Sequence, residues 1–154
     1  MSTGGLLQSS VTSHREKPYL DRKLKHLEFI QGTINRLSTN SFLLKGWSVV
    51  LVASLFALSA ADSALAFVYL AYIPAIVFWG LDGYFLWQER LYRHLYDVVR
   101  SKVPDDIDFS MATMTEAQAF VSWLQAVFSK TLVAFHGTLI SAIIVVMAIL
   151  LQGK

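Results

Sequence analysis

Three long stretches of this chain carry no formally charged side chain, and they constrain the fold more than any other feature. Residues 46–61, 63–81 and 131–151 contain no Asp, Glu, Lys or Arg. An α-helix rises about 1.5 Å per residue, so about 20 apolar residues cross the roughly 30 Å hydrocarbon core of a bilayer. Together with residues 42–45, the first stretch reaches this length. The pattern therefore predicts an all-α integral membrane protein with three transmembrane helices.

The remaining sequence divides the chain around these three spans. Only Ala61-Asp62-Ser63 separates the first two spans, so we expect them to form a short antiparallel hairpin, with a bend near Pro74. The predicted segments are a flexible tail at 1–17, a cytoplasmic amphipathic helix at 18–41, transmembrane helix one at 42–61, transmembrane helix two at 63–86, its cytoplasmic extension at 87–101, a loop at 102–114, the cytoplasmic part of the last helix at 115–130, and transmembrane helix three at 131–151.

The segment 18–41 has apolar residues at three- and four-residue spacing, which is typical of an amphipathic helix. Packing against other helices and lying flat on an anionic leaflet are both compatible with this pattern. Ser38–Ser41 interrupts it and offers N-cap side chains for the following span. Two pairs fit a capping box at the start of the last helix: Thr113 with Glu116, and Thr115 with Gln118.

The distribution of positive charge predicts the orientation of the spans. The region through Lys45 holds seven Lys and Arg residues and the stretch between spans two and three holds five, whereas the 61–63 turn holds none. Because Lys and Arg are enriched on the cytoplasmic side of transmembrane helices, the N-terminus is predicted inside and the C-terminus outside. The formal net charge of +2 is too small to favour nucleic acid as a partner.

Asp82 is the first candidate for a functional group, because a carboxylate near membrane depth is costly. Counted from Asp62, Lys45 lies 17 residues back and Asp82 20 residues on, so their depths differ by only about 5 Å. The two are predicted to form a pair that fixes the hairpin register; in a functional role, Asp82 would be a gate or a proton-sensing group. His136 is expected to be a satisfied or cavity-facing histidine of span three rather than a metal ligand, and its depth disfavours a pairing with Asp82.

Small residues recur four apart along the spans, and in lipid such rows are helix–helix contact surfaces. Three spans offer few internal faces for so many small residues, which favours self-association; tight packing within one copy is the alternative. The predicted oligomer contacts are Ala53, Ala57, Ala61, Gly80, Gly83, Gly137 and Ser141. The side chains predicted at the membrane interface or in cytoplasmic packing are Trp47, Trp87, Glu89, Arg90 and Trp123.

The chain contains no cysteine and no catalytic, nucleotide-binding or calcium-binding motif. We therefore expect no cofactor, no metal and no enzymatic activity. An intramembrane enzyme acting on lipid would need a cavity that brings Asp82, His136 or Glu89 together.

Two stretches, HLEFIQGTINRLSTNSFLLKGW (His26–Trp47) and FWGLDGYFLWQERLYRHLYDVVR (Phe78–Arg100), resemble the RipA family of small octameric bacterial inner-membrane proteins. Similar sequences also occur among small membrane accessories of antiphage defence loci. The resemblance implies a homo-oligomer, an octamer, in the bacterial cytoplasmic membrane with a cytoplasmic helical layer. In that membrane, the orientation predicted from the positive charges gives a periplasmic C-terminus. It also implies a role in envelope homeostasis, intracellular growth or phage defence, without an established reaction.

Two functions are compatible with these features. The first is a non-enzymatic homo-oligomeric membrane protein that acts as a pore or a scaffold. The second is a membrane-anchored accessory that recruits or regulates a cytoplasmic partner protein, through the helix that contains His26 or through residues 91–100.

Overall fold

The computed structural model describes residues 4–62, 65–103, 106–113 and 123–152, and only the backbone for 4–17 and 62. Four helices have defined bounds within these ranges: α1 at Gly4–Asp62, α2 at Leu65–Leu70, α3 at Tyr72–Ser101 and α4 at Lys130–Gln152. No residue in these ranges belongs to a β-strand. Both predicted capping boxes include residues of 114–122, and they lie outside the described part of the chain.

The prediction of an all-α membrane protein is confirmed. Within the described ranges, three helical stretches are long and apolar enough to cross a bilayer: Pro18–Ala61, Leu65–Ser101 and Lys130–Gln152. Large apolar side chains along them are exposed, Val50 at 55%, Ile76 at 59% and Ile149 at 63%. Such exposure fits contact with lipid, because water does not tolerate apolar surface of this extent. The chain is a multi-pass membrane protein.

Helix α1 is longer than the sequence pattern predicts. The sequence predicts a tail at 1–17 and a boundary near residue 41, whereas one helix runs from Gly4 to Asp62 and includes Pro18. Its hydroxyl side chains do not end it: Thr33 Oγ1 donates to the Phe29 carbonyl and Ser48 Oγ to the Lys45 carbonyl. A serine or threonine that bonds back to its own helix is compatible with a helix interior, whereas a cap requires a helix start.

The second span is broken rather than gently bent. Helix α2 ends at Leu70 and α3 begins at Tyr72, with Ala71 at the break. Pro74 explains the position, because a proline has no N–H to donate and its ring crowds the carbonyl four residues earlier, here that of Leu70. The Ala71 N–H bonds the carbonyls of both Phe67 and Val68.

The predicted continuous last helix is also interrupted. Residues 123–127 are helical, Phe128 and Ser129 form a turn, and α4 begins at Lys130. The Val127 carbonyl, next to the turn, accepts a hydrogen bond of 3.0 Å from the Trp79 indole N–H. A carbonyl bonded by a side chain from another helix is satisfied without its own helical partner, so the helix can turn here.

The chain divides into two compact units. The head unit comprises Met1–Asn35 and Arg90–Thr113, and the membrane unit comprises Arg36–Glu89 and Met114–Lys154. In the membrane unit the buried core consists of Val52, Val68, Ala71, Ala75 and Ile143. Each of the four helices contributes one of these residues, and Ala71 lies at the break between α2 and α3. The break therefore places a small side chain in the centre of the packing.

The head unit has its own small core where α1, α3 and the loop after α3 meet. Ile30, Ile34, Val99 and Ile107 are buried there, and Tyr92 and Tyr96 pack against them. The Lys23 ammonium donates to the backbone carbonyls of Arg100 at 2.9 Å and Lys102 at 2.6 Å. The last carbonyls of a helix have no partner within the helix, so Lys23 stabilises the end of α3.

Candidate functional site

A polar cluster lies inside the membrane unit, centred on the fully buried Asp82 of α3. Lys45 of α1 places its Nζ 2.6 Å from Oδ2 and 2.8 Å from Oδ1 of this carboxylate. Ser41, one helical turn before Lys45, donates its hydroxyl to Oδ1 and accepts a hydrogen bond of 2.9 Å from Lys45 Nζ. The structure thus brings together the two residues that the depth count places at the same level.

His136 of α4 completes the cluster from the third span. Its Nε2 lies 3.0 Å from Asp82 Oδ2, and both side chains are fully buried. The imidazole stacks on the Trp79 ring with centroids 5.8 Å apart and planes 9° apart. His136 Nδ1 has no hydrogen-bond partner among the described residues. Because a carboxylate only accepts hydrogen bonds, Nε2 is the donor of this contact.

Asp82 and His136 were expected to lie at different depths, and this expectation is wrong. The physical reason is the interruption of the last helix. Val127 packs directly on Gly83, where a side-chain Cβ would lie 3.1 Å from Val127 Cα. This contact and the Trp79–Val127 hydrogen bond hold the turn before α4 beside α3, so the first turns of α4 are level with the carboxylate.

The Asp82 carboxylate has no free capacity for further hydrogen bonds. It accepts from Ser41 and Lys45 at Oδ1, and from Lys45 and His136 at Oδ2. A carboxylate offers about four lone-pair sites, and here all of them are used. An acid in this state cannot act as a general base or bind a cation without breaking existing bonds. The arrangement is therefore suited to joining α1, α3 and α4 at a fixed register.

The small residues predicted as oligomer contacts lie in two kinds of environment. Gly83 is buried against Val127 of the same chain, so it is an internal packing residue and not an oligomer contact. A Cβ at Gly80 or Gly137 would meet nothing within 4 Å. The remaining members of the set are exposed: Ala53, Ala57, Ala61 and Ser141.

The residues predicted at the interface or in cytoplasmic packing are also spread over different environments. Trp47 is 59% exposed. Arg90 is also exposed, whereas Glu89 is buried. Trp87 and Trp123 are half-buried, and the Trp87 ring packs edge-on against Tyr84 with centroids 5.7 Å apart. An exposed tryptophan on a membrane helix suits the lipid interface, because its ring is apolar and its N–H is polar.

Sequence reasoning missed two members of the cluster, Ser41 and Trp79. Ser41 had been assigned to a helix cap, although its spacing of four from Lys45 puts both on one face of a helix. Trp79 precedes Asp82 by three residues and shares its face for the same reason. Within the described ranges, no group of three or more His, Cys, Asp or Glu side chains could hold a metal ion.

Comparison of the chain with protein-family models, with curated proteins and with solved structures gives no match. The fold and the polar cluster define the chain as a helical membrane protein with three candidate spans and a buried cluster of Lys45, Asp82 and His136. The resemblance to the RipA family stays an expectation.

His136→Leu should destabilise the protein by about 1–3 kcal/mol, because it removes one donor from a buried carboxylate. His136→Gln is the matched control, since its amide can donate from a position close to that of Nε2. Thermal unfolding in detergent, followed by circular dichroism, measures both variants. Equal loss of stability in the two would show that ring stacking on Trp79, rather than the hydrogen bond to Asp82, is the main contribution of His136.

Proposed function

We propose that this chain is a non-enzymatic membrane scaffold that works as an assembly of identical subunits. The observation that carries the proposal is the exposure of the small-residue row Ala53, Ala57 and Ala61 on α1. Small residues at four-residue spacing let two helices approach closely, and among the described residues of one copy no helix covers this row. A second copy is the simplest partner for it.

The extent of burial within one copy supports the same proposal. Only 11%, 22% and 17% of the residues in the most apolar windows of the three spans are buried. The rest of the surface is available to lipid and to other subunits. Association in a membrane depends on close packing rather than on the hydrophobic effect, so the small-residue faces are the expected subunit contacts.

Polar groups on these faces are satisfied within their own helices. Ser54 Oγ donates to the Val50 carbonyl at 2.8 Å, and Ser141 Oγ donates to the Gly137 carbonyl at 2.8 Å. Thr138 Oγ1 bonds the Ala134 carbonyl in the same way, at 2.7 Å. A face whose hydroxyls are already bonded can pack against another helix without leaving a buried polar group unpaired.

The buried cluster favours a scaffold over an ion pathway. Asp82 and His136 are fully buried by their own chain, so neither lines a water-filled passage between copies. The cluster instead gives each subunit a rigid three-helix arrangement whose outer faces can assemble. By the positive-inside count, the head unit is on the cytoplasmic side, and by the family resemblance the membrane is the bacterial inner membrane.

The test is the mass of the purified particle by native mass spectrometry or light scattering in detergent. We expect a single species larger than a dimer, and Ala57→Leu and Gly137→Leu should each shift it to smaller species. Ala66→Leu is the matched control, because Ala66 is exposed on α2 and lies outside both rows. A monomeric wild type, or particles whose mass neither substitution changes, would contradict the proposal.

A further inference from the structure

A buried histidine in the head unit has a ring nitrogen without a hydrogen-bond partner. His26 of α1 is only 6% exposed, and its Nε2 is unpaired among the described residues. Buried polar groups are nearly always paired, because an unpaired group loses its hydrogen bonds to water without replacement. Neither the cluster around Asp82 nor the proposed assembly makes use of His26. Its burial therefore calls for a separate explanation.

The loop after α3, residues 106–111, covers this histidine. The Phe109 ring packs edge-on against the imidazole, with centroids 5.6 Å apart. Two residues earlier, Ile107 is buried in the core of the head unit together with Ile30, which follows His26 by one helical turn. Two apolar side chains therefore hold the loop on this side of α1, and the loop offers no hydrogen bond to His26 Nε2.

The backbone of the loop is strained at the residue that touches His26. Phe109 has a φ of 54°, in the left-handed region, which is unfavourable for a bulky side chain. Strain of this kind persists only while the surrounding contacts impose it. The closed loop thus carries two local costs at one contact, the backbone of Phe109 and the unpaired Nε2 of His26. Movement of the loop away from α1 removes both.

The head unit brings charged or titratable side chains from three segments to the neighbourhood of His26. On α1, Arg22 and Lys23 lie one helical turn before it on the same side and carry positive charge. On the loop, Asp106 and Asp108 are exposed, and neither is hydrogen-bonded to Nε2. Exposed carboxylates are screened by water and salt, so they offset a buried charge only weakly. The groups that α3 contributes to this core or at its own end are Tyr92, Tyr96 and Arg100.

We propose that protonation of His26 releases the loop 106–111 from α1, so that the head unit closes at neutral pH and opens in acid. A protonated imidazole donates hydrogen bonds from both nitrogens, and the closed loop offers Nε2 no acceptor. Arg22 and Lys23 add like charges on the same side of α1. In the open state water solvates the charged ring, and Phe109 leaves the left-handed region. The release takes place within one copy and does not rest on the proposed assembly.

Hydrogen exchange of the full-length protein in detergent, followed by mass spectrometry, tests the release at about pH 7.5 and about pH 5.5, on either side of the usual imidazole transition. The loop contains hydrogen-bonded N–H groups that report on its closure, those of Asp106 and Ser110 among them. Their protection, corrected for the intrinsic effect of pH on exchange, should fall about tenfold in acid. This size follows if only the open state takes up the proton, with the pKa of about 6.5 of an imidazole in water. The closed loop is then favoured above that pH and is lost as the pH falls through it.

Substitution of His26 separates its protonation from other effects of pH. His26→Phe keeps an aromatic ring against Phe109 but cannot take up a proton, so its loop should be protected equally at both pH values. His26→Gln, which is also neutral, provides the same comparison if the Phe variant does not fold. His94→Phe is the matched control, because His94 is exposed on α3 in the same unit. That variant should keep the full fall in protection.

Equal protection of the wild-type loop at both pH values would overturn the proposal, as would an equal fall in the His26 variants. A loss of helical circular dichroism in acid would also overturn it, because global unfolding would then explain the exchange. The variant Asp105→Asn, Asp106→Asn, Asp108→Asn removes the acidic side chains in and next to the loop, and it should keep the fall in protection; Asp105 lies outside the described residues. Disappearance of the fall in this variant would assign the pH response to the carboxylates instead of His26.

Discussion

Asp82→Ala should lower the free energy of unfolding by about 3–5 kcal/mol, the usual effect of removing one partner from a buried ion pair. The loss has two sources in this cluster. Lys45 would keep a positive charge beside a cavity, and Ser41 and His136 would lose their common acceptor. Denaturant titration in detergent micelles, followed by tryptophan fluorescence, measures the change.

The matched control is Asp97→Ala, because Asp97 lies on the same helix but is exposed. We expect its effect to stay within about 0.5 kcal/mol. The double variant Lys45→Met, Asp82→Leu should lose less stability than the sum of the two single changes, since it removes both charges together. Additive losses would show that Lys45 and Asp82 do not stabilise each other.

Gly83→Ala should also have a large effect, a net loss of about 1–3 kcal/mol. The added Cβ would overlap the Val127 side chain and would lie 3.1 Å from Val127 Cα, so the backbone of the turn before α4 would have to move. That movement would also disturb the Trp79–Val127 hydrogen bond, which holds the same turn. Alanine's better helix propensity offsets only about 0.5–1 kcal/mol of the strain.

Gly80→Ala is the control one helical turn away on α3. A Cβ there would meet nothing within 4 Å, so the substitution should be neutral or should stabilise the isolated subunit slightly. Thermal unfolding in detergent compares the two variants. Similar unfolding temperatures for Gly83→Ala and Gly80→Ala would contradict the close approach of Val127 to α3.

Both predictions concern the way in which α4 is held against α3. The carboxylate of Asp82 joins three helices by hydrogen bonds, and Gly83 lets the turn before α4 approach closely enough for His136 to reach that carboxylate. Loss of either part should loosen the registration of α4 against α3. Because subunit contacts in the proposed scaffold involve Gly137 on α4, both variants should also weaken assembly.

Local sequence patterns account for the spans and for one pair in the site. Uncharged runs of about 20 residues predict membrane helices, because a charge in the hydrocarbon core is costly and the length of an uncharged run can be read from the sequence without knowing the packing. Lys45 and Asp82 could be matched by counting residues from the turn, since the rise of a helix is constant. The same count did not find His136. It assumes a continuous helix, whereas the last helix is interrupted by a turn before α4, which changes the depth of His136.

Composition and periodicity by themselves determined the all-α class, the number of spans and the level shared by Lys45 and Asp82. These properties follow from the solvent and from the geometry of a single helix. Only the tertiary structure decided that α1 continues through Ser41, that the last helix turns at Phe128 and that His136 reaches Asp82. Each of these depends on a partner from another helix, such as the Asp82 acceptor for the Ser41 hydroxyl, and no local pattern specifies which helix supplies it.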